Sequence, residues 1–409
     1  MSTAQLQAEL SSEQGVRCPV SRVDPFEREF LTDPYPFHEE LRDAGPVVWL
    51  ERYQVWGMAR YAEVYAAMQD WQTYSSAAGV GIDDFRKKKA WRPPSLLLEV
   101  DPPLHTRTRA VMSKILSPAN MRRLREDWQK RADTLVDKLV ERETFDAVKD
   151  LASVFPVWAF PDAIGIGQEG RENLLPFGNM VFNSFGPRNE IFLESIKEAE
   201  PVVSWIYAQC ARDLLAPGSF GAQVYEALDR GEIQPDEAPV LVRAMLTAGL
   251  DTTVIGIGSS IHGFALYPEQ WQKLRANPTL IRPSFDELLR WASPVQTFFR
   301  TTTRDVQIGG TTIPDGSKVL LFLGSANRDP RKWEKPEHFD ITRSTAGHVG
   351  FGTGIHGCVG QMVARMEAEV VLTAMIKRIK AIEIIGEPVR RLNNTLRSLS
   401  SLPVRIIPA

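Results

Sequence analysis

Most apolar positions along the chain fall into helix-like stretches, with a smaller set of strand-like runs. Tyr35–Ala44 (YPFHEELRDA) and Tyr61–Gln69 (YAEVYAAMQ) read as short helices. Between them, PVVWLER and QVWGMA read as paired strands around the polar turn Glu51-Arg52-Tyr53, because they concentrate β-branched and aromatic residues. From about Leu104 to Ile166 the pattern is mostly helical, with breaks at Ser117-Pro118 and around Phe155-Pro156. Helices follow at Gln168–Phe185 and Ile191–Leu215, with FNSFGP (Phe182–Pro187) as the stop signal between them. Pro235–Leu266 is the most periodic segment. It predicts one helix of ~30 residues, ~45 Å long, that begins with the favourable start PDE and stops before Tyr267-Pro268. A helix at Phe285–Ala292 precedes short strands through Val319–Leu323. A glycine-rich loop at 347–357 leads into a last helix from about Val359 to Arg378–Ile379. Tyr74–Pro103 has no clean period, and long irregular segments in compact proteins are often functional. The pattern predicts a mainly α fold with a smaller β region: a flexible N-terminal arm over 1–25 and a single domain over 26–409, without repeats or linkers.

Charge and cysteine content narrow the function classes. Lys and Arg number 48 against 51 Asp and Glu, a net charge of −3, which argues against a nucleic-acid or polybasic membrane surface. Three cysteines in 409 residues cannot form a disulfide framework and suggest a reducing compartment. The polar start MSTAQLQAELSSEQGVRCPVSR lacks the pattern of a signal peptide. Val254–Leu266 is too short for a membrane span and contains His262. The expectation is a cytoplasmic enzyme with no membrane segment.

The strongest chemical signal is Phe351-Gly352-Thr353-Gly354-Ile355-His356-Gly357-Cys358-Val359-Gly360. Four glycines around one cysteine suit backbone lying close to a flat ligand, and Cys358 sits just before a helix whose N-terminal amides stabilise a thiolate. A nucleophile would need a base within reach, and no cysteine-protease signature surrounds it. Zinc would need further ligands, and Cys18 and Cys210 are distant and isolated. A single axial thiolate on haem iron needs only one cysteine.

The loop resembles the haem signature of the cytochrome P450 family, Phe-Gly-x-Gly-x-His-x-Cys-x-Gly, at every fixed position. Further segments in the family's order are similar. Glu287-Leu288-Leu289-Arg290 matches its Glu-x-x-Arg motif, and Phe339–Arg343 resembles the segment whose arginine joins that pair. Ala248–Thr253 (AGLDTT) matches the oxygen-activation motif of the central helix, and Asp101–Arg109 the His-x-x-x-Arg propionate clamp. The resemblance implies the triangular-prism fold, with haem b (iron protoporphyrin IX) between the central helix and the Cys358 loop with its last helix. It implies that Glu287, Arg290 and Arg343 form a buried structural network. His105, Arg109, Arg300 and His356 would hold the haem propionates, since arginine geometry suits carboxylates. Asp251 and Thr252, polar residues at the middle of an apolar helix, would relay protons to dioxygen.

A narrower likeness adds a substrate. Trp91–Glu99 (WRPPSLLLE), Phe182–Pro187, Leu241–Thr253 and Ser293–Asp305 resemble bacterial family members that oxidise para-substituted benzoates such as 4-methoxybenzoate. Arg92 and Ser95 would hold the carboxylate, beside Arg243 and Ala244 on the central helix. Leu98, Phe182, Phe185, Ala248, Val295 and Phe298 would form an apolar slot. Those relatives usually carry serine where this chain has Ala244, which predicts weaker carboxylate anchoring. The expected reaction is monooxygenation or O-demethylation of an aromatic acid, with O2 and two electrons. The electrons would come from a ferredoxin reduced by an NADH-dependent flavoprotein, docking near basic residues such as Arg122 or Arg123. GIGSSI at Gly256 lies inside a helix and is no dinucleotide fingerprint. A peroxide-driven hydroxylase and a non-catalytic haem sensor are the competing readings. Both are disfavoured by the Asp251–Thr252 pair.

Overall fold

The computed structural model describes residues 18–409 apart from Trp91. Residues 1–17 of the expected N-terminal arm lie outside the described residues. The rest of that arm is docked: Cys18 is buried, and Val20–Ser21 pairs in parallel with Trp49 and Leu50.

Helices dominate, and the two short N-terminal ones fall at Tyr35–Ala44 and Tyr61–Gln69 as the pattern predicts. Val48–Leu50 and Val55–Met58 form the expected hairpin, with Val48 opposite Gly57 and Trp49 opposite Trp56. They belong to a six-stranded sheet in the order Val20–Ser21, Val48–Leu50, Val55–Met58, Lys318–Phe322, Thr297–Thr302, Tyr74–Ser75. A second sheet joins Ile379–Ile384, Pro403–Pro408 and Thr144–Asp146. The last of these strands was not legible in the sequence. The helical stretch from Leu104 breaks at Ser117-Pro118 as expected, but its second break falls at Glu143–Ser153 rather than at Phe155-Pro156. There Glu143 takes a positive φ of 57° and Asp146 caps a wide helical turn by accepting from the N–H groups of Val148 and Lys149. The helix expected over Gln168–Phe185 is confined to Leu174–Asn183, after a short 3-10 turn. The one expected over Ile191–Leu215 is broken after Ala199, next to Pro201.

The central helix is long but interrupted. It runs Glu237–Ala248 and resumes at Asp251–Leu266. Three hydroxyls explain the interruption. Thr247, Thr252 and Thr253 donate to the carbonyls of Arg243, Ala248 and Gly249 at 2.9, 2.9 and 3.2 Å, so side chains compete with the helix ladder on either side of Gly249–Leu250. The whole segment is long and apolar enough to cross a membrane, but 72% of its most apolar stretch is buried inside the protein. It packs as a core helix, against Ile281–Ala292 and the last helix, Gln361–Arg378.

Glu287 and Arg290 are three apart on Ile281–Ala292 and fully buried. Their bidentate pair (2.7 and 2.8 Å) is joined by Arg343, whose Nε donates to Glu287 at 3.2 Å. Arg290 also donates to the carbonyls of Asn327, Pro336 and His338. The Asn327 side chain then accepts from the N–H of Val349 at 2.8 Å, at the entrance to the Cys358 loop. The network thus anchors the loop rather than lining the cavity. Removing one partner of a buried ion pair typically costs ~3–5 kcal/mol, because the other charge stays buried. Glu287→Ala should therefore leave little folded, haem-loaded protein, as read by melting temperature and haem content. Wild-type values for both would contradict the role assigned to the pair.

Candidate active site

The Cys358 loop is held by its own backbone. The Cys358 N–H donates to the Phe351 carbonyl at 2.7 Å, and Gly352 and Gly354 take φ values of 67° and 68°, where a side chain would be strained. At Gly354 a Cβ would also collide with the Met68 carbonyl, so the loop can pass this close only with glycine. Phe351 is covered by the Arg365 guanidinium, 4.5 Å from its ring centre, and Arg365 pairs with Asp286 at 2.9 Å. Burial raises the Cys358 thiol, while the N–H groups of Gly360 and Gln361 and the charges of Arg109 and Arg365 favour its thiolate. Of the three cysteines, Cys358 alone lines the large cavity; Cys210 is buried elsewhere with a thiol pushed up to about 12 by burial.

That cavity, about 260 Å³, lies between the loop and the central helix. Arg109, Arg300 and His356 are on its wall and His105 stands behind His356, their rings 4.5 Å apart and edge to face. Among the described residues no carboxylate lies within ion-pair distance of Arg109 or Arg300. Burial pulls Arg300 down to about 10 and holds His105 at about 4, hence neutral near pH 7. Nε2 of His105 is buried without a hydrogen-bond partner. His356 is already engaged: Nδ1 donates to the Leu97 carbonyl at 3.1 Å and Nε2 is 3.6 Å from Asp101. The buried Arg300 and half-buried Arg109, without an acidic partner among the described residues, and an orphaned imidazole nitrogen fit a ligand that carries carboxylates beside a thiolate, as haem does.

Thr252 is on the cavity wall, whereas Asp251 is not. The Asp251 carboxyl turns away and packs against Gly178 of Leu174–Asn183, where any Cβ would overlap Oδ2. Oδ2 has no hydrogen-bond partner among the described residues, and burial pushes the carboxyl up to about 7 against the opposing pull of Arg391. It can exchange a proton near neutral pH. Gly178 gave no signal in the sequence, since its role depends on a contact across two helices.

The expected slot residues Leu98, Phe182, Phe185, Ala248, Val295 and Phe298 all line the cavity, as does Ala244. Phe185 makes edge-type contacts with Phe182 and Phe298 at 5.8 and 5.9 Å. The polar end departs from expectation. Arg92 and Ser95 do face the cavity, but the carboxylate they hold is internal: Glu99 takes both Arg92 Nη atoms at 2.7 and 3.1 Å and the Ser95 N–H at 2.8 Å. Ser95 Oγ accepts from the N–H groups of Leu97 and Leu98. Arg243, also on the wall and buried, donates to the Pro93 carbonyl (2.8 Å) and Tyr207 Oη (3.0 Å) and has no acidic partner among the described residues. Glu99 was missed because it pairs across the aperiodic segment, where spacing carries no information.

A glycine-rich cysteine loop under a broken central helix, with carboxylate-binding groups beside the cysteine, defines a haem-thiolate protein. The comparisons agree. The cytochrome P450 family model matches residues 279–406, and CYP199A2 from Rhodopseudomonas palustris is 55% identical over 399 residues, 97% of each chain. The chain belongs to the cytochrome P450 family; it is a monooxygenase of the type that uses cysteine-ligated haem b. A beta-dihydromenaquinone-9 omega-hydroxylase of Mycobacterium tuberculosis is 31% identical over 412 residues, 94% of this chain and 78% of that one. Among solved structures, CREJ in complex with (4-ethylphenyl) dihydrogen phosphate is similar with a TM-score of 0.85 and 28% identity, covering 94% of this chain and 99% of that one.

The Gly178 contact can be tested. Gly178→Ala should displace the Asp251 carboxyl and slow product formation, as is expected of Asp251→Asn, with the ferrous carbonyl spectrum intact. A wild-type rate of product formation in Gly178→Ala would show that the position of Asp251 is unimportant.

Proposed function

We propose that this P450 oxidises the para substituent of an aromatic acid such as 4-methoxybenzoate. The observation that carries the reading is the cavity's polarity. It is apolar and aromatic along its length, with Cys358 at one end and the buried guanidiniums of Arg92 and Arg243 among the polar groups of its wall. Glu99 pairs with Arg92, and Arg243 has no acidic partner among the described residues. An anionic group on the ligand would meet that cation. CREJ, whose structure holds (4-ethylphenyl) dihydrogen phosphate, a para-substituted aryl compound, lends the aromatic part of this reading structural company.

Haem b, when bound, supplies the iron chemistry that activates dioxygen. Cys358 would ligate the iron, and Arg109 and Arg300, with His105 and His356 beside them, would hold the propionates. Arg92 and Arg243 would bind the acid and thereby orient the ring. Leu98, Phe182, Phe185, Val295 and Phe298 would exclude water, and the small side chain of Ala248 leaves room for the ring beside Thr252. Thr252 would hold a proton at Oγ1, and Asp251 would resupply it at Oδ2. Hydroxylation of a methoxy carbon gives a hemiacetal that collapses to the phenol and formaldehyde. Electrons would come from a ferredoxin and its NADH-dependent flavoprotein reductase. Arg122 and Arg123 are exposed on Pro118–Arg142, a helix packed against the last helix, and would contribute to docking. The reading places the enzyme in the cytoplasm.

Ala244 lines the cavity one residue after Arg243 and offers no hydroxyl. A hydrogen bond to a charged group contributes ~1.5–3 kcal/mol, part of which water can replace. Ala244→Ser should therefore tighten 4-methoxybenzoate several-fold in a spin-state titration and leave the oxidised carbon unchanged. Wild-type protein should bind the acid more tightly than its neutral amide. Equal binding of acid and amide would overturn the aromatic-acid reading; an unchanged affinity in Ala244→Ser would remove the anchoring role of this position.

A further inference from the structure

We infer that the wall carrying Phe182 and Phe185 and the wall carrying Val295 and Phe298 are strapped together by two segments outside the cavity, 80–82 and 393–397. Asn394, in the second strap, is thereby a specificity-determining residue: it keeps the slot narrow, so that the enzyme prefers a flat aromatic ring to a puckered saturated one. The inference rests on the aromatic-acid reading and adds to it the reason for the ring's shape.

Each strap bonds to both walls. Asn179, Asn183, Asn393 and Asn394 are buried and meet one another. Asn393 Nδ2 donates to the carbonyl and the Oδ1 of Asn179 at 3.1 and 2.9 Å. The Asn394 N–H donates to Asn183 Oδ1 at 2.9 Å, and Asn394 Nδ2 donates to the Asn183 carbonyl at 3.0 Å. Asn189 and Asn394 exchange two further side-chain bonds at 2.8 and 3.1 Å. Asn179 and Asn183 belong to Leu174–Asn183, the helix that carries Phe182. The same loop then takes hold of the opposite wall. Asn393 Oδ1 accepts from the N–H groups of Thr395 and Leu396, which fixes the turn. The Gln296 N–H donates to the Thr395 carbonyl at 2.8 Å and the Arg397 N–H to the Pro294 carbonyl at 3.0 Å, so Val295 is bracketed. The second strap is shorter. The Phe299 N–H donates to the Val80 carbonyl at 2.9 Å, and the Ile82 N–H donates to the Phe185 carbonyl at 2.8 Å. Contact is close at both straps. A Cβ at Gly81 would come within 2.8 Å of the Phe185 Cα, and one at Gly186 would collide with the Asn394 side chain. None of residues 80–82 or 393–397 lines the cavity. A satisfied buried amide network is rigid, and a wall fixed in advance loses little freedom when a ligand enters. A flat ring fits such a slot as it stands. A puckered ring is thicker, and it enters only by forcing the walls apart against the straps. Asn394 therefore acts through the position of Phe182 and Phe185 without touching the ligand.

The test is a spin-state titration of the holoenzyme with 4-methoxybenzoate and with trans-4-methoxycyclohexanecarboxylate, which carries the same acid and the same para substituent on a puckered ring. Wild-type protein should bind the flat acid at least about tenfold more tightly. Asn394→Ala removes the side-chain bonds to Asn183 and Asn189, and Gly186→Ala breaks them by collision. Each should shrink the preference to about threefold or less, by weakening the flat acid and strengthening the saturated one. A merely structural role would lower the melting temperature or weaken both acids by one factor, and would leave the ratio where it was. An unchanged ratio in either variant, with the wild-type ferrous carbonyl spectrum, would thus overturn the inference. So would equal wild-type affinity for the two acids, while tighter binding of 4-methoxybenzoate than of its amide kept the substrate reading intact. If neither variant loads haem, the wild-type ratio decides. Wild-type protein that binds 4-methoxybenzoate no better than its amide would remove the substrate reading, and this inference with it, by a different signature.

Discussion

A thiolate can serve iron only if its loop keeps the sulfur at the cavity floor, and here that loop hangs from one buried ion pair. Glu287 and Arg290 are inaccessible to water, so neither charge can be solvated if the other leaves. Arg290 spends its remaining donors on three carbonyls between Asn327 and His338, and Asn327 passes the constraint to Val349. The loop closes on itself through Cys358 and Phe351. Such a pair contributes little net stability over an apolar replacement. What it supplies is a fixed position for backbone that has no regular secondary structure of its own.

The rest of the cavity follows a division of charge. Cationic groups occur at two places: around Cys358, where Arg109 and Arg300 have no acidic partner among the described residues, and at Arg92 and Arg243, where Glu99 pairs with Arg92. Between them the wall is aromatic and aliphatic. The central helix crosses this space with its ladder loosened by threonine hydroxyls, which puts Thr252 on the wall while Asp251 keeps a neutral-range carboxyl out of it. Gly178 gives that carboxyl its room.

Much of this was legible in the sequence, for identifiable reasons. The two short N-terminal helices and the Val48–Met58 hairpin were clear because their patterns are local and uninterrupted. The Cys358 loop was clear because glycine clusters at backbone that must approach a ligand leave a local trace. What depends on partners distant in sequence was not. The strand at Thr144–Asp146 is short and pairs with Pro403–Val404–Arg405 at the far end of the chain. The break in the central helix comes from side-chain hydroxyls competing with the ladder, which apolar periodicity does not register. Arg92 and Ser95 were found at the cavity, but the carboxylate they hold turned out to be that of Glu99, and only the folded chain shows that pairing.

The central claim is that Cys358 is the protein ligand of the haem iron. The most direct measurement is the ferrous carbonyl spectrum of the wild type and Cys358→His. The account predicts the strongly red-shifted Soret band of a thiolate ligand in the wild type and its loss in the histidine variant, with some haem retained. A red-shifted band that survives in Cys358→His would contradict it.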